Sequence, residues 1–189
     1  MKKIWERIVP LVKADREWDI RFWQAQSASA RFKTAWVMLE DSYKLRGKKL
    51  MREVSDYKEL LRTLNKHKVR YLVIGAYAVI YYAEPRHTKD LDIWVDPGEQ
   101  NAQKTYEALK EFGAPLTNIT PADFTKKKTI YQIGVAPVRV DILMGLPGLE
   151  FSRAWDHRVM TVYDEVRVNI IGLKELIKSK KRREAVGYD

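Results

Sequence analysis

The sequence has no cysteine among its 189 residues. That excludes disulfides, cysteine-bound zinc and thiol catalysis. Histidine is scarce: His67, His87 and His157 are the three, and no two stand at a metal-ligand spacing. His87 reads as an exposed loop residue, with contact to a substrate from that loop as the alternative. No apolar run approaches the ~18 residues that a membrane span needs, so no membrane partner is expected. The first residues, Met-Lys-Lys-Ile-Trp-Glu-Arg, are basic but precede no apolar core, unlike a secretory signal. A cytoplasmic location is the expectation. Internal repeats and low-complexity tracts are lacking. Acidic residues number 25 against 35 lysines and arginines, a formal charge of +10. A basic surface of that size suits a polyanionic partner such as RNA or an acidic protein, and it also serves plain solubility.

What is present begins with aromatics. Four of the six tryptophans, Trp5, Trp18, Trp23 and Trp36, fall in residues 1–48. Ile4, Trp5, Ile8 and Val9 suggest a short helix ending near Pro10. From Asp19 onward Phe22, Ser29, Phe32, Trp36, Leu39 and Tyr43 share one helical stripe, with Arg31, Lys33, Glu40 and Lys44 mostly off it. An aromatic helical hairpin of this length seldom folds alone, so its face is expected to pack on the rest of the chain, on another chain or on a ligand. Leu45-Arg-Gly-Lys-Lys-Leu50 reads as a basic joint with Gly47 as helix stop. The division is then residues 1–48, a helical segment, and residues 51–189, the main domain. A fusion of two once-separate modules accounts for that layout.

The main domain is built around KVRYLVIGAYAVIYYAEPRHTKDLDIWVD, residues 68–96. Val69 to Ile74 is a short apolar run of the kind found in covered strands. Gly75 breaks it where a Cβ would obstruct a turn or a ligand. Ala76, Val79, Ile80 and Ala83 follow at helical spacing, and Pro85 ends that helix. Leu91, Ile93 and Val95 then alternate with Asp90, Asp92, Trp94 and Asp96, which puts Asp90 and Asp92 on one face of a strand. Their Cα atoms stand about 6.6 Å apart. Two carboxylates at about 4 Å repel by about 4 kcal/mol at an effective dielectric near 20. Water or a cation relieves that repulsion. Hard divalent ions take carboxylate and phosphate oxygens, and a glycine turn at a helix start offers N–H groups to phosphate. The pattern equally describes a half-exposed strand with solvated aspartates.

Further elements follow by the same rules. Asp56 to Lys66 is a helix with an Asp56/Glu59 capping box and an apolar stripe of Tyr57, Leu60, Leu61 and Leu64. Asp96-Pro97-x-Glu99 starts another, which Gly113 ends. A short helix is expected at Pro121. Lys126, Lys127 and Lys128 form a basic run before a strand, 129–133. A second strand, 137–143, turns Val138, Val140 and Ile142 one way and Arg139, Asp141 and Leu143 the other. Asp141 reads either as a third metal-binding carboxylate with a free side or as a surface partner of Arg139. Residues 151–157 form a short helix, 159–162 and 166–170 a hairpin across Asp164-Glu165. Leu173, Leu176 and Ile177 begin a final helix whose next stripe position is Lys180, there to snorkel or to reach a phosphate. Lys178, Lys181, Arg182 and Arg183 cluster nearby.

Gly75-Ala76, followed by Arg86-x-Thr88-x-Asp90-x-Asp92, resembles the nucleotidyltransferase fold of the DNA polymerase β superfamily. Within it the sequence is most similar to the small prokaryotic branch that includes AbiEii-type toxins and minimal nucleotidyltransferases. The resemblance spans Asp56 to Tyr188, and VRVDILM resembles the strand of the third carboxylate. It implies an α/β (α+β) mixed sheet flanked by helices, here with an N-terminal helical hairpin. It implies transfer of a nucleoside monophosphate from a nucleoside triphosphate to a hydroxyl, with magnesium or manganese held by Asp90, Asp92 and Asp141. Gly75, Ala76, Arg86, Thr88 and Lys180 would contact the nucleotide or shape its loop. Acceptors in such a family are RNA, tRNA included, or protein, in some cases within a toxin–antitoxin pair. A cognate antitoxin-like partner, or self-association through the aromatic helices, follows as an expectation. The chain departs from the pattern at Ala76, where active members often carry serine. A non-catalytic module binding RNA or a protein is the alternative, and a transferase acting on a small hydroxylated molecule is a third.

Overall fold

The computed structural model describes residues 16–47, 55–134 and 139–186. The expected helix near Pro10, the second half of the basic joint, the start of the strand at 137 and the side chains of Arg182 and Arg183 lie outside the described residues. In chain order the elements are α1 (Glu17–Gln24), α2 (Ala28–Leu45), α3 (Ser55–Lys66), β1 (Tyr71–Val73), α4 (Gly75–Tyr82), β2 (Asp90–Val95) and α5 (Glu99–Phe112). A 3-10 turn at Pro121–Thr125 leads to β3 (Ile130–Ile133), β4 (Arg139–Leu143), α6 (Phe151–Asp156), β5 (Val159–Tyr163), β6 (Val166–Ile170) and α7 (Leu173–Val186).

The six strands form one mixed sheet in the order β3-β4-β2-β1-β6-β5. β2 runs parallel to β4, and β1 parallel to β6; the other neighbours are antiparallel. The two central strands bury most of their length: all of β1 and the last three residues of β2 are below a tenth exposed. The β5–β6 hairpin turns through Asp164 and Glu165 at φ 41° and 69°, the handedness that tight hairpins favour. Helix α5 starts later than its sequence suggests. Gly98, not Asp96, is its cap. The Asp96 carboxylate instead accepts from the Gly98 N–H at 3.0 Å and pairs with Arg70 at 2.9 Å, so it closes a turn ahead of the helix.

The aromatic stripe of α2 packs onto the sheet domain. Phe32 meets Tyr77 and Tyr163 at ring-centroid distances of 6.1 and 5.4 Å, and Trp36 meets Tyr57 edge-on at 6.0 Å. One charged residue departs from the expected pattern. Arg31, expected off the stripe, is 5% exposed. Its guanidinium donates to the carbonyls of Ile80 at 3.2 Å, Tyr81 at 2.8 Å, Trp23 at 2.9 Å and Gln26 at 2.8 Å. The reason lies in α4. The last carbonyls of a helix lack intrahelical donors, and Tyr81 loses its natural one because the residue four further on, Pro85, has no N–H. Arg31 supplies what is missing, and Gln24 does the same for the Ala83 carbonyl at 2.6 Å.

This places a specific load on one side chain. Arg31→Ala removes a donor from four carbonyls, of which Trp23's keeps the Gln26 N–H, and should cost about 2–4 kcal/mol, read as a lowered urea midpoint. Leu45→Ala, at a position 88% exposed, should stay within about 0.5 kcal/mol of the native protein.

Candidate active site

β2 and β4 are paired in parallel with Asp90 opposite Arg139 and Asp92 opposite Asp141, while antiparallel β3 places Gln132 opposite Asp141. Paired residues turn to the same side of a sheet, and the period of two repeats that side at every second position. Asp90, Asp92, Arg139, Asp141 and Gln132 therefore share one face. Asp141, about fifty residues further along the chain, joins Asp90 and Asp92 through strand pairing alone.

Their contacts are specific. Thr88, buried, donates its hydroxyl to Asp90 Oδ1 and to the Asp90 carbonyl, each at 3.2 Å. Arg139 donates through Nε to Asp141 Oδ1 at 2.8 Å and through one terminal nitrogen to Asp141 Oδ2 at 3.0 Å and Asp90 Oδ2 at 2.8 Å. Gln132 adds a donor to Asp141 Oδ1 at 3.1 Å. The Asp141 side chain is 7% exposed, against 28% for Asp90 and 33% for Arg139. Asp141 thus has no open side; it is a buried anion held by a guanidinium and an amide. These hydrogen bonds, with the charges of Asp141, Asp90 and Asp92, hold Arg139 above its usual pKa. Below the cluster, the Tyr57 hydroxyl donates to the Arg139 carbonyl at 3.2 Å. Burial raises that phenol's pKa, and Tyr163 and the three aspartates raise it further, so it stays protonated across the physiological range.

Gly75 sits at the lip of this face. Its φ is +61°, and a Cβ built on it would fall 1.8 Å from Asp92 Oδ2. Both the left-handed backbone and the space demand glycine. The Ile74 N–H donates to the Asp92 carbonyl at 3.0 Å, which ties the turn to β2. Ala76 follows in the first turn of α4, half-buried.

From Gly75 a cleft of about 1,050 Å³ opens away from the carboxylates; Asp90, Asp92 and Asp141 are not among its lining residues. Trp94 and Leu143, one pleat beyond Asp92 and Asp141, form part of its floor, with Phe151; Lys127, Lys128 and Lys180 stand on its walls. Lys180 and Gly75, far apart in the chain, so face one space. Trp94 is 1% exposed and packs edge-on against Phe151 at 5.1 Å, yet its indole N–H has no acceptor. Arg86 lies exposed on the loop before β2 and does not line the cleft. His87 is half-buried rather than exposed, with Nε2 enclosed and without a partner; that enclosure, with Lys89 and Arg46 nearby, lowers its pKa.

Magnesium or manganese would draw on Asp90, Asp92 and Asp141. The donor set is right for a hard cation, being carboxylate oxygen throughout and next to a turn open to phosphate. Among the described residues, however, no group of three His, Cys, Asp or Glu is arranged as a metal cage. Arg139 is bonded to both Asp90 and Asp141 in this arrangement. The sequence offered Arg139 only as a surface partner of Asp141. Its reach to Asp90 follows from a register that the sequence does not display.

No protein-family model and no curated protein matches the chain. Among solved structures, a candidate nucleotidyltransferase of Thermotoga maritima is similar, with a TM-score of 0.52 at 14% identity over 71% of this chain and 86% of that one. A likeness at that identity shows the fold: a nucleotidyltransferase-like mixed sheet flanked by helices.

Gly75 is the position where this geometry is least forgiving. Gly75→Ala should lower the thermal midpoint by several degrees, because the methyl must push Asp92 aside and the backbone must leave a conformation alanine rarely adopts. A midpoint equal to that of the native protein would show that the turn is not built as described.

Proposed function

We propose that the protein transfers a nucleoside monophosphate from a nucleoside triphosphate to an acceptor hydroxyl, releasing pyrophosphate. The observation that carries this reading is the convergence of Asp90, Asp92 and Asp141 on one sheet face, with Gly75 against Asp92. An acceptor oxygen bonds to the α-phosphorus while the bond from that phosphorus to the bridging oxygen breaks. Asp141, the most buried of the three, would orient the acceptor hydroxyl and take its proton once Arg139 and Gln132 release its oxygens. Thr88 holds Asp90 in orientation. The N–H groups of Gly75 and Ala76 and the ammonium of Lys180 serve the phosphates; Arg86, exposed on the loop outside the cleft, would shape that loop. Bound magnesium or manganese would neutralise phosphate charge and align the displaced groups.

The acceptor is RNA, tRNA among the candidates, or a partner protein. Support for RNA is the charge of +10 and the lysines on the cleft wall. A toxin–antitoxin setting belongs to the same reading and rests on the sequence resemblance alone. Self-association through the aromatic helices would have to use residues other than Phe32 and Trp36, which are buried within the chain.

A second reading keeps the fold and gives up catalysis. Two observations favour it: Ala76 brings no hydroxyl to the turn, and Arg139 already neutralises Asp90 and Asp141. Incubation with each labelled triphosphate, magnesium and total RNA or protein separates the two. Label on the acceptor is expected, and Asp90→Asn or Asp141→Asn should reduce it at least about 100-fold. RNA retention with no label on any acceptor establishes the binding module instead. Label that persists undiminished in Asp90→Asn means the chemistry is elsewhere.

A further inference from the structure

We propose that Arg139 is a built-in competitor for the divalent cation, so that metal enters between Asp90 and Asp141 only by exchange with this guanidinium. The inference rests on the metal-assisted reading above and adds the control of that site.

Strand pairing fixes the position of Arg139. It lies directly opposite Asp90 and two residues before Asp141 on the same strand face. Both carboxylates are within hydrogen-bond reach of its fork, three contacts at 2.8 to 3.0 Å. A carboxylate–guanidinium fork is among the stronger polar contacts a protein makes. Without it, two carboxylates brought close would repel strongly. The guanidinium therefore lets the site persist metal-free. The same contacts stand in the way of a cation. An ion bridging Asp90 Oδ2 and Asp141 must take oxygens that Arg139 now holds. A third of the Arg139 side chain is exposed, so it has solvent to move into. Gln132 and Thr88, each bound to one carboxylate, would hold those groups in orientation during the exchange.

The geometry sets a direction that a purely structural arginine would not. Removing a structural arginine would loosen the site and weaken metal binding. Removing a competitor strengthens it. Manganese binding is measured by the loss of the free-ion electron paramagnetic resonance signal, on the full chain without nucleotide, for the native protein, Arg139→Gln and Arg139→Gln with Asp90→Asn. Breaking charge-assisted hydrogen bonds is the cost removed, so Arg139→Gln should bind manganese about tenfold or more tightly, and adding Asp90→Asn should erase the gain. If Arg139→Gln does not fold, as judged by circular dichroism, Arg139→Lys replaces it; lysine keeps the charge without the fork, and tighter binding than native is again expected. Affinity equal to or below that of the native protein, or a gain that survives Asp90→Asn, overturns the proposal. Where native binding still depends on Asp90, the metal site stands and the competition alone falls. No binding by any of the proteins at millimolar manganese overturns both.

Discussion

The parallel pairing of β2 with β4 is the constraint on which the site depends. It sets Asp92 beside Asp141 and Asp90 beside Arg139. A slip of one residue would turn one strand's polar set to the opposite face. The register is held from both flanks. β3 pairs with β4 over four residue pairs, and β1 pairs with β2 over three. The apolar face of the same strands contributes as well: Leu91, Ile93, Val140 and Ile142 are all at most 5% exposed. Hydrophobic burial on one side thus fixes the geometry of charge on the other.

The N-terminal helices work on the same scaffold from a different direction. α2 covers Tyr57, Tyr77 and Tyr163, and Tyr57 in turn reaches the Arg139 carbonyl. Arg31 and Gln24 complete the C-terminal carbonyls of α4, the helix whose first residue is Gly75. The aromatic segment therefore braces both supports of the carboxylate face, the turn-bearing helix and the strand that carries Asp141. Whatever its origin as a unit, its packing serves the site.

Much of this was legible in the sequence, and the misses share a cause. The alternation around Asp90 and Asp92, the break at Gly75 and the apolar stripe of α3 are local patterns, and each element stands within a few residues of its expected place. Arg31 was misjudged because helical periodicity assigns charge to the solvent side. The signal was present elsewhere, in Pro85, whose missing N–H leaves an acceptor on α4 in need of a donor. The late start of α5 was likewise a competition, between a capping box at Asp96 and the pull of Arg70 on the same carboxylate. Arg139 could be paired with Asp141 from spacing alone. Its bond to Asp90 could not, because no local pattern announces which strands lie side by side.

The balance of charge at the site follows from these facts together. Three aspartates and one arginine on one face leave two negative charges before any screening, on a chain whose overall charge is +10. Such a local inversion marks a place where the fold keeps acids against the trend of the rest of the molecule. Burial makes it costly: Asp141 at 7% exposure would be strongly disfavoured without its partners. A protein that needed only a stable strand could have placed apolar residues there, as it did at every neighbouring position on the reverse face. The arginine makes the acids tolerable, and it leaves part of their charge uncancelled. Partial cancellation beside a glycine turn is more than a structural ion pair requires, since a single carboxylate would have matched the one guanidinium.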